Sequence, residues 1–70
     1  MTLVVVLNGE RAELPVDATV TAAVEATGAP AGARGVAVAV DGEVVPRGEW
    51  ESIELREGQR VEVVQAVQGG

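Results

Sequence analysis

Valine and alanine supply most of the apolar residues of this chain, and this limits the folds that it can adopt. Of the thirty-three apolar residues, fifteen are valine and eleven are alanine. Valine is β-branched and packs well on the pleated surface of a sheet. Seventy residues leave room for one small core. The sequence therefore predicts a single domain over residues 1–70 in which a sheet dominates.

The start of the chain predicts a β-hairpin. Residues 3–7 form an unbroken apolar run, which is typical of a strand that is covered on both faces and central in its sheet. Asn8 and Gly9 tolerate the positive φ of a tight turn, and residues 11–16 then alternate polar and apolar side chains. Because Pro15 has no N–H to donate, this second strand is expected at a sheet edge.

A short helix of about two turns is predicted next. Residues 17–19 offer side chains for its N-cap, and Gly28 is the candidate for its C-cap. Its apolar face follows the helical spacing i, i+3, i+4 and i+7, in the order Val20, Ala23, Val24 and Thr27. Residues 29–35 are too rich in proline and glycine for a regular element, which indicates a loop.

A second hairpin is predicted after this loop. Valines alternate with Ala37 and Ala39 over residues 36–40, so one face of this strand is bulky and the other is small. We expect the bulky face to pack on the helix and the small face to lie outward or against a partner. Asp41 and Gly42 then turn the chain back.

The remainder of the chain predicts a short strand, an irregular segment and a last strand. Residues 43–45 form the short strand, which Pro46 ends. Residues 47–55 space their apolar side chains unevenly, which indicates an irregular turn or one 3₁₀ turn. Residues 60–65 are the predicted last strand.

This order of elements predicts an α+β fold. If the first strand lies inside the sheet, the last strand can pair with it in parallel, while the helix lies across one face. The arrangement is the β-grasp, or ubiquitin-like, roll: a mixed sheet of four to five strands with one main helix packed across it.

The composition excludes several classes of chemistry. The chain has no cysteine, histidine or lysine, so it cannot form disulfides, use a thiolate or imidazole, or build the usual soft metal sites. Ser52 and the threonines have no imidazole or lysine to activate them. Acidic pairs such as Glu49 with Glu51 are interpreted as a solvated face. The lone aromatic residue, Trp50, is interpreted as a packing anchor. No metal site is expected.

Charge and hydropathy restrict the partners of the chain. Its net charge of −6 repels phosphate backbones, so nucleic acid is not an expected partner. The longest apolar runs have five residues, whereas a helix needs about twenty to span a bilayer. No basic segment precedes the first run as it would in a signal peptide. We therefore expect a cytoplasmic protein without membrane contact.

The diglycine at residues 69–70 is the strongest functional signal. It follows the predicted last strand through Ala66, Val67 and Gln68. Glycine has no Cβ and enters a slit too narrow for other residues, and five extended residues reach about 17 Å. We therefore expect residues 66–70 to form a flexible tail that presents a carboxylate to the active site of another protein.

Several local motifs accompany this ending. They are Asn8-Gly9-Glu10, Asp41-Gly42-Glu43-Val44-Val45-Pro46-Arg47 with Trp50 three residues later, Glu57-Gly58, and residues 61–70. Together they resemble the ThiS family of sulfur carriers, and the resemblance covers essentially the whole chain. The sequence departs from the family at Gln68, where many members have a third glycine, and at Gln59, where an acidic residue is usual.

The resemblance implies a function and its site residues. Gly70 would be adenylated by an E1-like adenylating enzyme of the ThiF type, which uses ATP and magnesium, and would then become a thiocarboxylate. The thiocarboxylate would donate sulfur to thiazole synthase of the ThiG type in thiamine biosynthesis. Ala66, Val67, Gln68 and Gly69 would bind these partners. By this resemblance the chain binds no cofactor and is a protein co-substrate, not an enzyme.

Two other functions remain open from the sequence. The small subunit of molybdopterin synthase is similar in fold and in carrier chemistry, although its chains are usually longer and their tails typically contain proline. A ubiquitin-like tag or interaction module belongs to a different class. A tag would have no lysine on which to build chains.

Overall fold

The computed structural model describes residues 1–29 and 35–65. In these residues the chain forms five strands, one α-helix and one 3₁₀ turn. In chain order they are β1 (Thr2–Leu7), β2 (Glu10–Pro15), α1 (Val20–Ala26), β3 (Val36–Val40), β4 (Glu43–Val45), the 3₁₀ turn (Arg47–Glu49) and β5 (Arg60–Gln65). None of the helices in this part of the chain has the length and apolar character needed to cross a membrane.

The strands form a mixed sheet in the order β2-β1-β5-β3-β4. β1 pairs with β5 in parallel, and the other neighbouring strands pair antiparallel. The predicted α+β fold, with a mixed sheet and a helix packed on it, is confirmed. β2 lies at an edge, as Pro15 predicts. The boundaries of β3, β4 and β5 also agree with those read from the sequence.

β1 lies inside the sheet, but it is covered on one face only. Leu3, Val5 and Leu7 are buried, whereas Val4 and Val6 on the other face are half-buried. The expectation of two covered faces was therefore wrong. The helix packs on one side of the sheet, and the apolar run alone could not show this because both faces carry the same residue types. The middle strand is β5, not β1.

The helix begins at Val20 without the side-chain cap that the sequence predicted. Thr19 is its N-cap residue and makes no side-chain capping hydrogen bond. Instead, the N–H of Val20 donates to the carbonyl of Ile53 at 3.0 Å, and the N–H of Thr21 donates to the carbonyl of Trp50 at 3.2 Å. Backbone carbonyls from a distant segment thus satisfy the N–H groups that a helix leaves free at its start.

The helix ends at Ala26, and its C-cap residue is Thr27 and not the predicted Gly28. Val20, Ala23 and Val24 are buried as expected, but Thr27 is exposed and is the C-cap residue. Its hydroxyl donates to the carbonyl of Val24 at 2.6 Å, so the side chain satisfies the end of the helix and does not extend the apolar face. Gly28 follows with φ of +89°.

The two predicted turns have the backbone conformation that their sequences require. Asn8 and Gly9 have φ of 51° and 83°, and Asp41 and Gly42 have φ of 51° and 85°. Positive φ at both central residues is the mark of the tight hairpin turn that matches the twist of its strands. Both hairpins are thus confirmed.

The loop and the tail predicted from the sequence are described only at their ends. Ala29 is buried and Gly35 is exposed, and neither belongs to a helix or strand. Residues 30–34 of the predicted loop and residues 66–70 of the predicted tail lie outside the described residues. The prediction of a flexible tail therefore stays a prediction.

The core lies between the sheet and the helix. It contains sixteen buried apolar residues of the described chain: Leu3, Val5, Leu7, Leu14, Ala18, Val20, Ala23, Val24, Ala29, Val38, Val40, Val45, Trp50, Leu55, Val61 and Val63. The helix valines share this cluster with the Leu3, Val5 and Leu7 face of β1 and not with the opposite face. Val24 has no exposed surface.

Replacing Val24 by aspartate tests the helix face. The variant would bury a carboxylate without a partner, which costs several kcal/mol in a domain whose total stability is about 5 kcal/mol. We expect no cooperative unfolding transition in circular dichroism. Ala26→Asp is the matched control, because Ala26 is an exposed residue of the same helix, and it should cost about 1 kcal/mol or less. A Val24→Asp protein that melts like the control would contradict the helix placement.

Candidate functional site

The candidate site residues predicted from the sequence lie directly after β5. Ala66, Val67, Gln68, Gly69 and Gly70 are outside the described residues. The structure therefore describes the strand from which they continue and the surfaces beside it. β5 ends at Gln65, which pairs with Val36 of β3.

Asn8 continues the hydrogen-bonded ladder between β1 and β5 beyond the end of β1. The N–H of Asn8 donates to the carbonyl of Val61 at 2.9 Å. Its side chain then accepts from the N–H of Val63 at 2.8 Å and donates to the carbonyl of Val63 at 3.2 Å. The sequence predicted only a turn position for Asn8. Asparagine is common at the first position of such a turn, so the residue type alone does not indicate this second role.

Asp41, which lies in the second hairpin turn, binds the start of β5. Its Oδ1 accepts from the N–H of Arg60 at 3.0 Å, and its N–H donates to the carbonyl of Arg60 at 2.8 Å. Its Oδ2 accepts from Nε2 of Gln59 at 3.2 Å. The side chains of the two turns thus hold β5 at two places, its first residue Arg60 and Val63.

Gln59, a departure from the family pattern, has a structural role in this arrangement. Its carboxamide donates to Asp41 and accepts from the N–H of Arg56 at 2.7 Å. A carboxylate at position 59 would still accept from Arg56, but it has no donor for Asp41. Glutamine therefore links two loops that an acidic residue could not link in the same way.

The sheet face opposite the helix carries an apolar surface that we call the outer patch. The outer patch consists of Ala37 and Ala39 of β3, Val44 of β4 and Val64 of β5. Val44 is 76% exposed and Val64 is 62% exposed, and the patch borders a shallow depression of about 210 Å³. The prediction that the small face of β3 lies outward is confirmed. Large exposed apolar groups that cluster in this way are typical of protein interaction surfaces.

Glu62 adds a negative charge to this surface. Its exposed side chain lines the same depression as Val64. The chain as a whole has a net charge of −6. A partner for this face is therefore expected to offer apolar side chains together with a positive charge.

Trp50 belongs to the core and not to a binding surface. Its side chain is 3% exposed, and its Nε1 donates to the carbonyl of Val45 at 3.0 Å. The guanidinium of Arg47 lies over the ring, 5.4 Å from the centroid. The interpretation of Trp50 as a packing anchor is confirmed.

The acidic residues of the 49–57 region are exposed, as predicted. They include Glu49, Glu51, Glu54 and Glu57. Glu57 binds the backbone, since its Oε1 accepts from the N–H of Val4 at 2.9 Å. Within residues 1–29 and 35–65, no group of three or more acidic side chains is placed to hold a metal ion.

The sequence comparison connects this geometry with a known family. The profile of the ThiS family matches residues 5–70, which include the diglycine. The chain belongs to the ThiS family. Among curated proteins, none matches the sequence significantly. Members of the ThiS family are small sulfur carriers and are not catalysts themselves.

A solved structure supports the same assignment. The crystal structure of the thiamine biosynthesis protein ThiS from Geobacter metallireducens is similar with a TM-score of 0.75 and 26% sequence identity. The match covers 97% of this chain and 100% of that chain. The β-grasp fold predicted from the element order is thereby confirmed.

Replacing Trp50 by phenylalanine tests the anchor. The variant keeps most of the apolar ring but removes the donor to the carbonyl of Val45, and an unsatisfied buried carbonyl costs about 1–3 kcal/mol. Each kcal/mol lowers the melting temperature of a domain of this size by about 4–8 °C. We expect this decrease in the melting temperature when thermal unfolding is followed by circular dichroism. In the wild type, acrylamide should quench Trp50 fluorescence weakly until the chain unfolds; strong quenching of the native protein would contradict its burial.

Proposed function

We propose that this chain is a sulfur carrier protein in thiamine biosynthesis and that its Gly70 carboxylate carries the sulfur as a thiocarboxylate. The observation that supports this most directly is the ThiS-family match, because it extends through Gly69 and Gly70. The similarity to a thiamine biosynthesis protein over its whole length supports the pathway.

The chemistry begins with activation of Gly70. A carboxylate is a poor electrophile, because its oxygens are poor leaving groups. A carboxylate oxygen attacks the α-phosphorus of ATP, pyrophosphate leaves, and an acyl-adenylate forms. Sulfide derived from cysteine then forms a bond to the carbonyl carbon, the carbon–oxygen bond to AMP breaks, AMP leaves, and a thiocarboxylate remains. Dividing the reaction at a covalent intermediate replaces one difficult step by two easier ones.

Partner enzymes supply the catalytic groups in this proposal. An E1-like adenylating enzyme of the ThiF type binds ATP and magnesium, so the carrier itself binds no cofactor. Thiazole synthase of the ThiG type takes the sulfur. Residues 66–69 lead Gly70 into the active site of each enzyme, and the two glycines fit a narrow channel because they have no side chain. The cytoplasm is the proposed location of these reactions.

The outer patch is the proposed docking surface for the adenylating enzyme. Val64 of this patch precedes the tail by two residues, and six extended residues from Val64 to Gly70 span about 20 Å. An enzyme docked on the patch would therefore have its reaction centre within about 20 Å of it. The acidic character of the carrier favours an enzyme surface that carries arginine or lysine.

The position of the Gly70 carboxylate provides the test of the carrier function. After incubation with the cognate adenylating enzyme, MgATP and a sulfide source, intact mass should show that the wild type has exchanged one oxygen for one sulfur. Deleting Gly70, or adding alanine after it, moves the carboxylate by about 3.5 Å, which is enough to abolish transfer. Both variants should melt like the wild type. A wild type that gains no sulfur, or a Gly70 deletion that gains it equally well, would contradict the proposal.

A charge on the outer patch provides the test of docking. Val64→Glu would place a carboxylate in an apolar contact, and the KM of the adenylating enzyme for the carrier should rise at least about tenfold. Val16→Glu is the matched control. Val16 is 58% exposed and directly follows β2, which forms the edge of the sheet opposite to β4. Its KM should stay within about twofold of the wild type. Equal KM values for the two variants would place the docking surface elsewhere.

A further inference from the structure

We infer that Asn8 is a positioning residue for the carrier reaction, because its side chain holds β5 at Val63, two residues before the strand ends and residues 66–70 continue. This inference rests on the proposed function of Gly70. It concerns a residue that acts through the backbone of Val63.

The pairing of β1 with β5 explains why a side chain is needed at this place. The two strands pair only through Val6 with Arg60 and Leu7 with Val61. β5 then continues to Gln65, while the chain leaves β1 at the Asn8 turn. Without the Asn8 side chain, the N–H and carbonyl of Val63 on this edge would have no partner among the described residues.

The carboxamide of Asn8 replaces the missing strand residue. It accepts from the N–H of Val63 at 2.8 Å and donates to its carbonyl at 3.2 Å, which is the double contact that a neighbouring strand would make. The other edge of β5 is held by β3 as far as Gln65. Val63, two residues before the end of β5, is therefore held from both sides.

This double support sets the length of the segment that the partner enzyme must order. If the Asn8 side-chain contacts are lost, no described residue holds β5 beyond Val61 on the β1 side, and the segment from Val63 to Gln65 can fray. Each frayed residue adds backbone freedom that is lost again when the segment enters an active site. It also moves the point from which the carboxylate is presented, and displacements of about 1 Å can slow a reaction strongly.

Asp41 offers a matched comparison within the same molecule. Like Asn8, it has φ of 51°, precedes a glycine in a hairpin turn and binds the backbone of β5 with its side chain. It does so at Arg60, the end of β5 that lies away from the tail. Glycine tolerates positive φ, so Asn8→Gly and Asp41→Gly remove the side-chain contacts while both turns keep their conformation.

The two variants should lose similar stability but differ in function. We expect both melting temperatures to fall by about 5–15 °C, as the loss of one or two hydrogen bonds implies. With the cognate adenylating enzyme, ATP–pyrophosphate exchange should show a kcat about tenfold lower for Asn8→Gly. Its KM should stay within about twofold, because three of the four outer-patch residues lie on β3 and β4 and Val64 keeps its pairing with Ala37 of β3. Asp41→Gly should keep both constants within about twofold. Amide hydrogen exchange at Val63 and Val64 should increase in Asn8→Gly only.

The outcomes separate this inference from the function on which it rests. Assays are run at a temperature where both variants are folded. An active wild type with Asn8→Gly and Asp41→Gly slowed equally, or not slowed at all, would overturn the role of Asn8 and leave the carrier function intact. A rise in KM with kcat unchanged would also overturn it, since that result assigns Asn8 to docking. A wild type that is never adenylated would overturn the carrier function and, with it, this inference.

Discussion

The pairing of β5 with both of its neighbours is the constraint on which the rest of this fold depends. β5 lies between the β1–β2 hairpin and the β3–β4 hairpin, and the sheet is continuous only through it. Its parallel pairing with β1 has just two residue pairs. Val61 and Val63 place β5 in the core, and the side chains of Asn8 and Asp41 hold its backbone at Val63 and Arg60. The same strand then leads directly into the predicted functional tail.

The features that could be predicted from the sequence are those with local causes. The alternation of large and small side chains over residues 36–40 indicates a strand, and the Asn-Gly and Asp-Gly pairs indicate hairpin turns. Each of these signals comes from residues that are close together in the chain. Pro15 indicated an edge strand for an equally local reason, the missing N–H. Once these elements were placed, few arrangements could bury the helix valines, and the parallel pairing of the first and last strands followed.

The features that could not be predicted depend on residues far apart in the chain. The helix N-terminus is satisfied by carbonyls of Trp50 and Ile53, so the polar residues at 17–19 were a misleading signal. Asn8 and Val63 are fifty-five positions apart, and nothing local to either residue reveals the other. The tail residues of the candidate site stay a prediction from the tail motif, because residues 66–70 lie outside the described residues. The outer patch was anticipated only in part, from the small face of β3.

The composition of the chain also suits the proposed chemistry at its end. An acyl-adenylate is attacked readily by thiols and amines, and a thiocarboxylate is itself a nucleophile. Among these seventy residues there is no cysteine or lysine side chain to capture the activated glycine of the same or another copy. With those groups absent, the sulfur nucleophile in the partner enzyme meets little competition from carrier side chains. A core built from valine and alanine supplies the fold without adding any such group, so the composition that favours the sheet also favours a chemically inert carrier.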